Sequence, residues 1–289
     1  MKKLFTLLTA CLLAYLFSYS QEPINVIVIG AHPDDADIRA GGTAIKFAKA
    51  GHNVMFVSLT NGDAGHHEKG GGALARIRRA EAQEAGKRFG VEYVVLDNHD
   101  GELMPTLEIR KDVIRLIRKW NADIVMGPRP NDYHPDHRNA AILVQDAAYM
   151  VIVPNVASDV PPLEKNPVFL YVEDRFQKPY PFEPDIAVDI SDEFEQKIYG
   201  IAAHESQMFE WLPWTGGRLD QVPKGETERL KWLADWRKPN ISDDVRNSLK
   251  KWYGAEKANK ITDAEAFEIC EYGRRPSDEE IRKLFPFFE

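Results

Sequence analysis

The chain has 289 residues, 44% of them hydrophobic, with a formal net charge of −8. That length supports a sizeable core in one large domain or in a domain with an appendage. The acidic balance, with no Lys and Arg stripe, argues against a nucleic-acid partner, because phosphate recognition needs clustered cations.

The N-terminus reads as an export signal. Lys2 and Lys3 precede an apolar run over residues 4–17, and the small residues Ser18 and Ser20 bracket a cleavage point before Gln21. A signal peptide is therefore expected over residues 1–20, cut after Ser20. The mature chain is then secreted or periplasmic, with no stable membrane insertion. The stretch Leu8-Thr9-Ala10-Cys11 faintly resembles a lipoprotein box, but the apolar run continues past Cys11, which favours plain cleavage. Cys270 then remains as the one mature thiol, expected as a small buried hydrophobe.

From Gln21 onward, short β-branched runs alternate with amphipathic stretches. Strands are expected at 24–29 (INVIVI), 53–59, 91–96, 122–126, 168–173 and 186–189. Helices are expected at 41–50, 74–89, 107–120, 138–151 and 193–204. This alternation predicts an α/β fold over residues 21–206, Rossmann-like, with a mostly parallel sheet and helices on both faces. After about Gln207 the composition turns to Trp, Lys and Glu, and residues 207–289 read as a helical, Trp-rich extension. Residues 61–73 (NGDAGHHEKGGGA) hold five glycines in thirteen positions and follow a strand. That places them at the sheet edge where ligands bind in such folds.

Two clusters carry chemistry. Ala31-His32-Pro33-Asp34-Asp35 follows the first strand directly, and His32 and Asp35 offer one nitrogen and one oxygen to the same cation. Asp132-Tyr133-His134-Pro135-Asp136-His137 follows the fourth strand region, at the same edge. One His-Pro-Asp is most often a turn that caps a helix. Two of them, each after a strand, form a pattern that a turn alone does not explain.

These clusters, with Gly41-Gly42-Thr43, Thr60-Asn61-Gly62, the helix holding Arg78 and Glu81, and the weaker His204-Glu205-Ser206-Gln207, resemble the LmbE-like or PIG-L family of metal-dependent de-N-acetylases. The resemblance runs from about residue 24 to 207. It implies His32, Asp35 and His137 as Zn2+ ligands, with other divalent metals as alternatives. It also implies Asp34 as general base and His134 as oxyanion donor. Many members carry a Glu just after the aspartate pair, where this chain has Ala36-Asp37, so Asp37 stands in with a shorter reach.

Three protein ligands leave a cation one open position, as in catalytic zinc sites. The expected reaction is hydrolysis of an N-acyl group, most simply N-acetyl, from an amino sugar or glycoconjugate. Asp136 is expected to hold the tautomer of His134. Arg78, Asp63, His66, Trp211 and Tyr133 are the candidate substrate contacts. Trp211 and Trp214 flank Leu212-Pro213 as possible sugar-stacking rings, whereas Trp232 and Trp236 read as a core stripe. Two other readings stand beside the hydrolase. One is a secreted glycan-binding protein with an idle metal site; the other is a non-haem Fe(II) enzyme using the same ligands.

Overall fold

The computed structural model describes residues 22–288. The expected signal peptide lies outside the described residues. Strand β1 (Asn25–Gly30) pairs in parallel with β2 (Asn53–Thr60) on one side and with β4 (Ile124–Gly127) on the other. β3 (Glu92–Asn98) extends the sheet beyond β2, and β5 (Val168–Val172) extends it beyond β4, both in parallel. Two further strands, β6 (Ile186–Asp189) and β7 (Ala264–Ile269), complete the order β3-β2-β1-β4-β5-β7-β6.

The alternation inside β1 explains why both faces are covered. Val26 and Val28 point to one side, into a core with Phe47, Phe56 and Phe89. Ile27 and Ile29 point to the other, into a core with Val113, Ile117 and Leu143. Helices α1 (Asp35–Lys49), α2 (Gly71–Phe89) and α5 (Phe194–Ile201) supply the first layer. Helices α3 (Leu107–Trp120) and α4 (Pro135–Met150) supply the second. Truncating one fully buried ring, such as Phe47 or Phe56, costs about 3–5 kcal/mol.

α1 begins at Asp35, six positions before the expected start at 41, because its first turn is anchored to the strand end by Asp35 itself. The larger departure lies beyond residue 207. That stretch does contain the helices α6 (Leu212–Thr215), α7 (Glu226–Arg237), α8 (Asp243–Tyr253), α9 (Ala255–Ala258) and α10 (Asp278–Leu284). It also contributes β7, which runs antiparallel between β5 and β6. The sequence AEAFEI hides this strand because Glu265 points inward. Its carboxylate accepts the α1 N–H groups of Gly42 at 2.8 Å and Thr43 at 2.7 Å, and meets Lys197 Nζ at 2.7 Å. Among the described residues no helix is long and apolar enough to cross a membrane.

Candidate metal centre and substrate cavity

Strand order reverses at β1 and β4, and in open α/β sheets ligands collect in the crevice beyond the carboxyl ends of such strands. One His-Pro-Asp cluster leaves β1 there and the other opens α4 after β4. At Gly30 the chain folds back so tightly that a Cβ would lie 2.5 Å from the Cβ of Asp35. This close approach lets Asp35 Oδ2 accept the N–H groups of Ala31 at 2.9 Å and His32 at 2.8 Å.

The three expected ligands converge. His32 Nδ1 lies 3.2 Å from His137 Nε2 and 3.6 Å from Asp35 Oδ2, and His137 Nε2 lies 3.5 Å from Asp35 Oδ1. Four-coordinate zinc, with bonds of 2.0–2.1 Å, sets its donors about 3.4 Å apart. The outer nitrogens are already engaged. His32 Nε2 lies 3.0 Å from Asp100 Oδ1 and 3.2 Å from Asp136 Oδ2, and His137 Nδ1 lies 3.0 Å from Asp132 Oδ1. A carboxylate on the outer N–H leaves the inner nitrogen bare and aimed at the centre, as in carboxylate–histidine–metal arrangements. Two bare nitrogens 3.2 Å apart need a proton or a cation between them. The donor set fits a divalent cation.

The electrostatics agree. Burial opposes charge on His32, yet Asp100, Asp136 and Asp35 raise its pKa well above the usual value. Burial likewise opposes charge on Asp35, but His137 and His32 hold its carboxyl far below the usual range. The site is arranged for positive charge.

The histidine nitrogens of His32, His134 and His137 also lie within 4.8 Å of one another, as do donor atoms of His32, Asp100 and Asp136. The second group is explained by the outer-nitrogen bonds of His32. In the first, His134 Nδ1 already accepts the Asp136 N–H at 3.2 Å. The Asp35 carboxylate, 3.6 Å from His32 Nδ1 and 3.5 Å from His137 Nε2, favours the His32, Asp35 and His137 set.

Asp34 lies beside this centre, 3% exposed, at φ 139°. Burial, reinforced by Asp35, pushes its pKa up to about 6, against the pull of His204, Arg78 and His32. Its backbone N–H donates to Tyr93 Oη at 3.1 Å, and Tyr93 donates to Asp37 Oδ2 at 2.8 Å. Asp37 Oδ1 in turn meets His204 Nε2 at 2.9 Å. Asp37 therefore supports the base from behind, and His204 is buried behind the site.

His134 borders the same cavity. Burial, with repulsion from His32 and His137, lowers its pKa, so the ring is neutral at neutral pH. With Nδ1 accepting from Asp136 N–H, the proton sits on Nε2.

Here one expectation needs correcting. The Asp136 carboxylate does not hold His134. It accepts from Gly101 N at 2.7 Å and Leu103 N at 3.2 Å and reaches His32 instead. The backbone of Asp136 fixes His134; its side chain fixes His32.

The cavity holds about 440 Å³, within the usual range for small-ligand sites. Arg78, Trp211 and Tyr133 line it, as expected. Asp63 and His66 do not. The Asp63 carboxylate meets His99 Nδ1 at 2.6 Å and accepts Asp100 N–H at 3.0 Å, so it orders the loop that carries Asp100. His66 Nε2 meets Glu210 at 2.7 Å while its Nδ1 accepts two backbone N–H groups. Arg78 forms no surface ion pair with Glu81; Glu81 instead accepts from the N–H and hydroxyl of Ser206, each at 2.7 Å. That anchor precedes a π-helical turn, Ser206–Trp211, from which Gln207 and Trp211 reach the cavity. Such wide turns are frequent at functional sites. Trp236 and Arg237 of α7 complete the wall, Trp236 also packing against the core as its stripe spacing suggested.

Comparison with known proteins places this geometry in context. The GlcNAc-PI de-N-acetylase (PIG-L) family model matches residues 27–148. The chain is similar to a diacetylchitobiose deacetylase of Thermococcus kodakarensis, 35% identical over 210 residues, covering 67% of this chain and 76% of that one. It is also similar to a probable N-acetyl-alpha-D-glucosaminyl L-malate deacetylase 2 of Bacillus cereus. That match is 26% identical over 219 residues, covering 72% and 94%. The solved N,N'-diacetylchitobiose deacetylase of Pyrococcus horikoshii, bound to an inhibitor, superposes with a TM-score of 0.65 at 25% identity over 90% of each chain. Shared sequence across the length that builds both His-Pro-Asp clusters, on the same fold, means that this chain belongs to the PIG-L (LmbE-like) de-N-acetylase family.

Proposed function

We propose that this protein is a zinc-dependent hydrolase that removes an acetyl group from the nitrogen of an amino sugar or glycoconjugate. The observation that carries the reading is the meeting of His32, Asp35 and His137 at 3.2–3.6 Å, with buried Asp34 beside them on a sugar-sized cavity. The relatives named as deacetylases of diacetylchitobiose and of a glucosaminyl malate support the substrate class.

When bound by these three residues, the cation supplies Lewis acidity and makes water acidic enough to deprotonate near neutral pH. Asp34 takes the proton of the attacking water as the new C–O bond forms. Its pKa near 6 lets it hold that proton and release it to the amide nitrogen. Protonation of that nitrogen allows the C–N bond to break, giving acetate and a free amine. His134 donates its Nε2 proton to the oxygen on which negative charge develops, a contact worth about 2.7–4 kcal/mol in comparable sites. Asp100, Asp136 and Asp132 keep the ligand rings oriented. Trp211 and Tyr133 frame the sugar.

Export is part of the reading, supported by Lys2, Lys3 and the apolar run that follows. The substrate then lies outside the cytoplasm. Acetate release from a panel of N-acetylated sugars tests the activity. Release is expected to stop with a chelator and to return with zinc; release indifferent to chelation would refute the metal's role.

A further inference from the structure

Arg237 ends helix α7 and lines the catalytic cavity together with Asp34 and His134. Its guanidinium makes no ion pair among the described residues. Its Nε is shut off from solvent with no hydrogen-bond partner, and Nη2 has only Met208 Sδ at 3.3 Å. Trp236 covers one side, 4.3 Å from the guanidinium carbon. Burial lowers the pKa to about 10, so the group is still charged at neutral pH. The carboxyl end of α7 favours a cation, but a helix dipole satisfies none of these N–H groups. A charged group withdrawn from water without a partner is costly, so its retention calls for a ligand.

The surroundings carry the same sign. Arg39, Arg175 and Arg218 all lie close enough to repel Arg237, and Asp34 is its main attractive neighbour. Arg218 stacks over Trp236 at 4.8 Å, and Arg39 donates to the backbone oxygen of Glu173 at 2.9 Å. None of the three forms an ion pair among the described residues, although Glu173 is near Arg39 and Arg175. A chain of net charge −8 thus gathers Arg39, Arg175 and Arg218 around Arg237, which itself lines the cavity. A neutral sugar offers hydroxyl acceptors but no charge to offset theirs. An oxyanion takes two parallel N–H bonds from one guanidinium, the geometry for which Arg is suited.

We propose that Arg237 receives an oxyanion substituent, a carboxylate or a phosphate, on the N-acetylated sugar, so that the natural substrate is an anionic amino-sugar derivative. The proposal rests on the deacetylase reading above, and it makes Arg237 a residue of specificity rather than of catalysis. Arg39, Arg175 and Arg218 draw the anion in, an attraction that salt screens.

The test compares N-acetylmuramic acid (carboxylate) and N-acetylglucosamine 6-phosphate with neutral N-acetylglucosamine and diacetylchitobiose, using the metal-replete protein. At least one anionic sugar is expected to exceed the neutral ones about tenfold in kcat/KM, through KM, with the margin shrinking at high salt. Which anion leads identifies the substituent. Arg237→Gln should bring the anionic-to-neutral ratio to near one, and Arg237→Lys should keep part of it. Equal handling of charged and neutral sugars by the wild type overturns the proposal. So does an Arg237→Gln variant that loses kcat on all sugars alike, since that marks a role in supporting Asp34. If no sugar releases acetate, the deacetylase reading fails by itself. Titration calorimetry then decides the anion question, tighter binding of anionic sugars supporting it and equal binding refuting it. If Arg237→Gln does not fold, Arg237→Lys and the salt dependence of the wild type serve in its place.

Discussion

Asp34 occupies φ 139°, ψ −22°, a conformation that costs a residue bearing a Cβ about 1–3 kcal/mol. The strain turns its carboxylate inward beside the ligands, held by the Tyr93 hydroxyl on its N–H. Asp34→Asn should lower kcat by about 10²–10⁴ while metal analysis still finds the cation bound; unchanged turnover would remove Asp34 from the mechanism. Behind it, the His204–Asp37 pair is fully buried. Burial alone would lower the His204 pKa, but Asp37, with Asp34 and Glu81, raises it overall. A raised histidine contributes stability that is complete below its unfolded value of about 6.5 and is lost as pH rises through the folded value. The denaturation midpoint of the wild type should therefore fall on the alkaline side of neutrality more steeply than that of His204→Gln, as urea titrations at a series of pH values would reveal. At this scale the ligands and the base were legible because His-Pro-Asp follows a strand twice. Arg237 was not legible: it sits about a hundred positions from the second cluster and about two hundred from the first, and nothing local distinguishes it from a solvated helix end.

Between elements, a buried charge pair joins β7 to α1 and α5. Glu265 and Lys197 are both buried and form their ion pair at 2.7 Å, with two helix N–H groups completing the carboxylate. Removing one member of such a pair leaves the other charge buried. Glu265→Gln should thus destabilise by about 3–5 kcal/mol in urea unfolding. Adding Lys197→Met should recover a good part of the loss, and additive effects of the two changes would contradict the coupling. The same residue explains why β7 was missed. Period-two reading assigns a charged position to the solvent face, and here the charge faces inward with three partners. β1, β2 and β4 were legible because buried parallel strands present unbroken β-branched runs.

For the whole molecule, β7 lies between β5 and β6, so the last quarter of the chain closes the sheet. Residues 207–289 also supply Trp211, Trp236 and Arg237 to the cavity. A chain ending at 206 should be insoluble or lack a cooperative thermal transition by circular dichroism; a soluble, cooperatively melting fragment would show that the extension is dispensable. The alternation of strands and helices revealed the fold class, but not that the sheet waits for a strand from so far away.

The Glu265 contact also ties the two ends of the chain to one site. It grips α1 at Gly42 and Thr43, and the first turn of that same helix holds Asp35. Loss of the Glu265 carboxylate is therefore expected to loosen the helix that carries Asp35, so that a strand near the end of the sequence bears on the geometry of the ligands at its beginning.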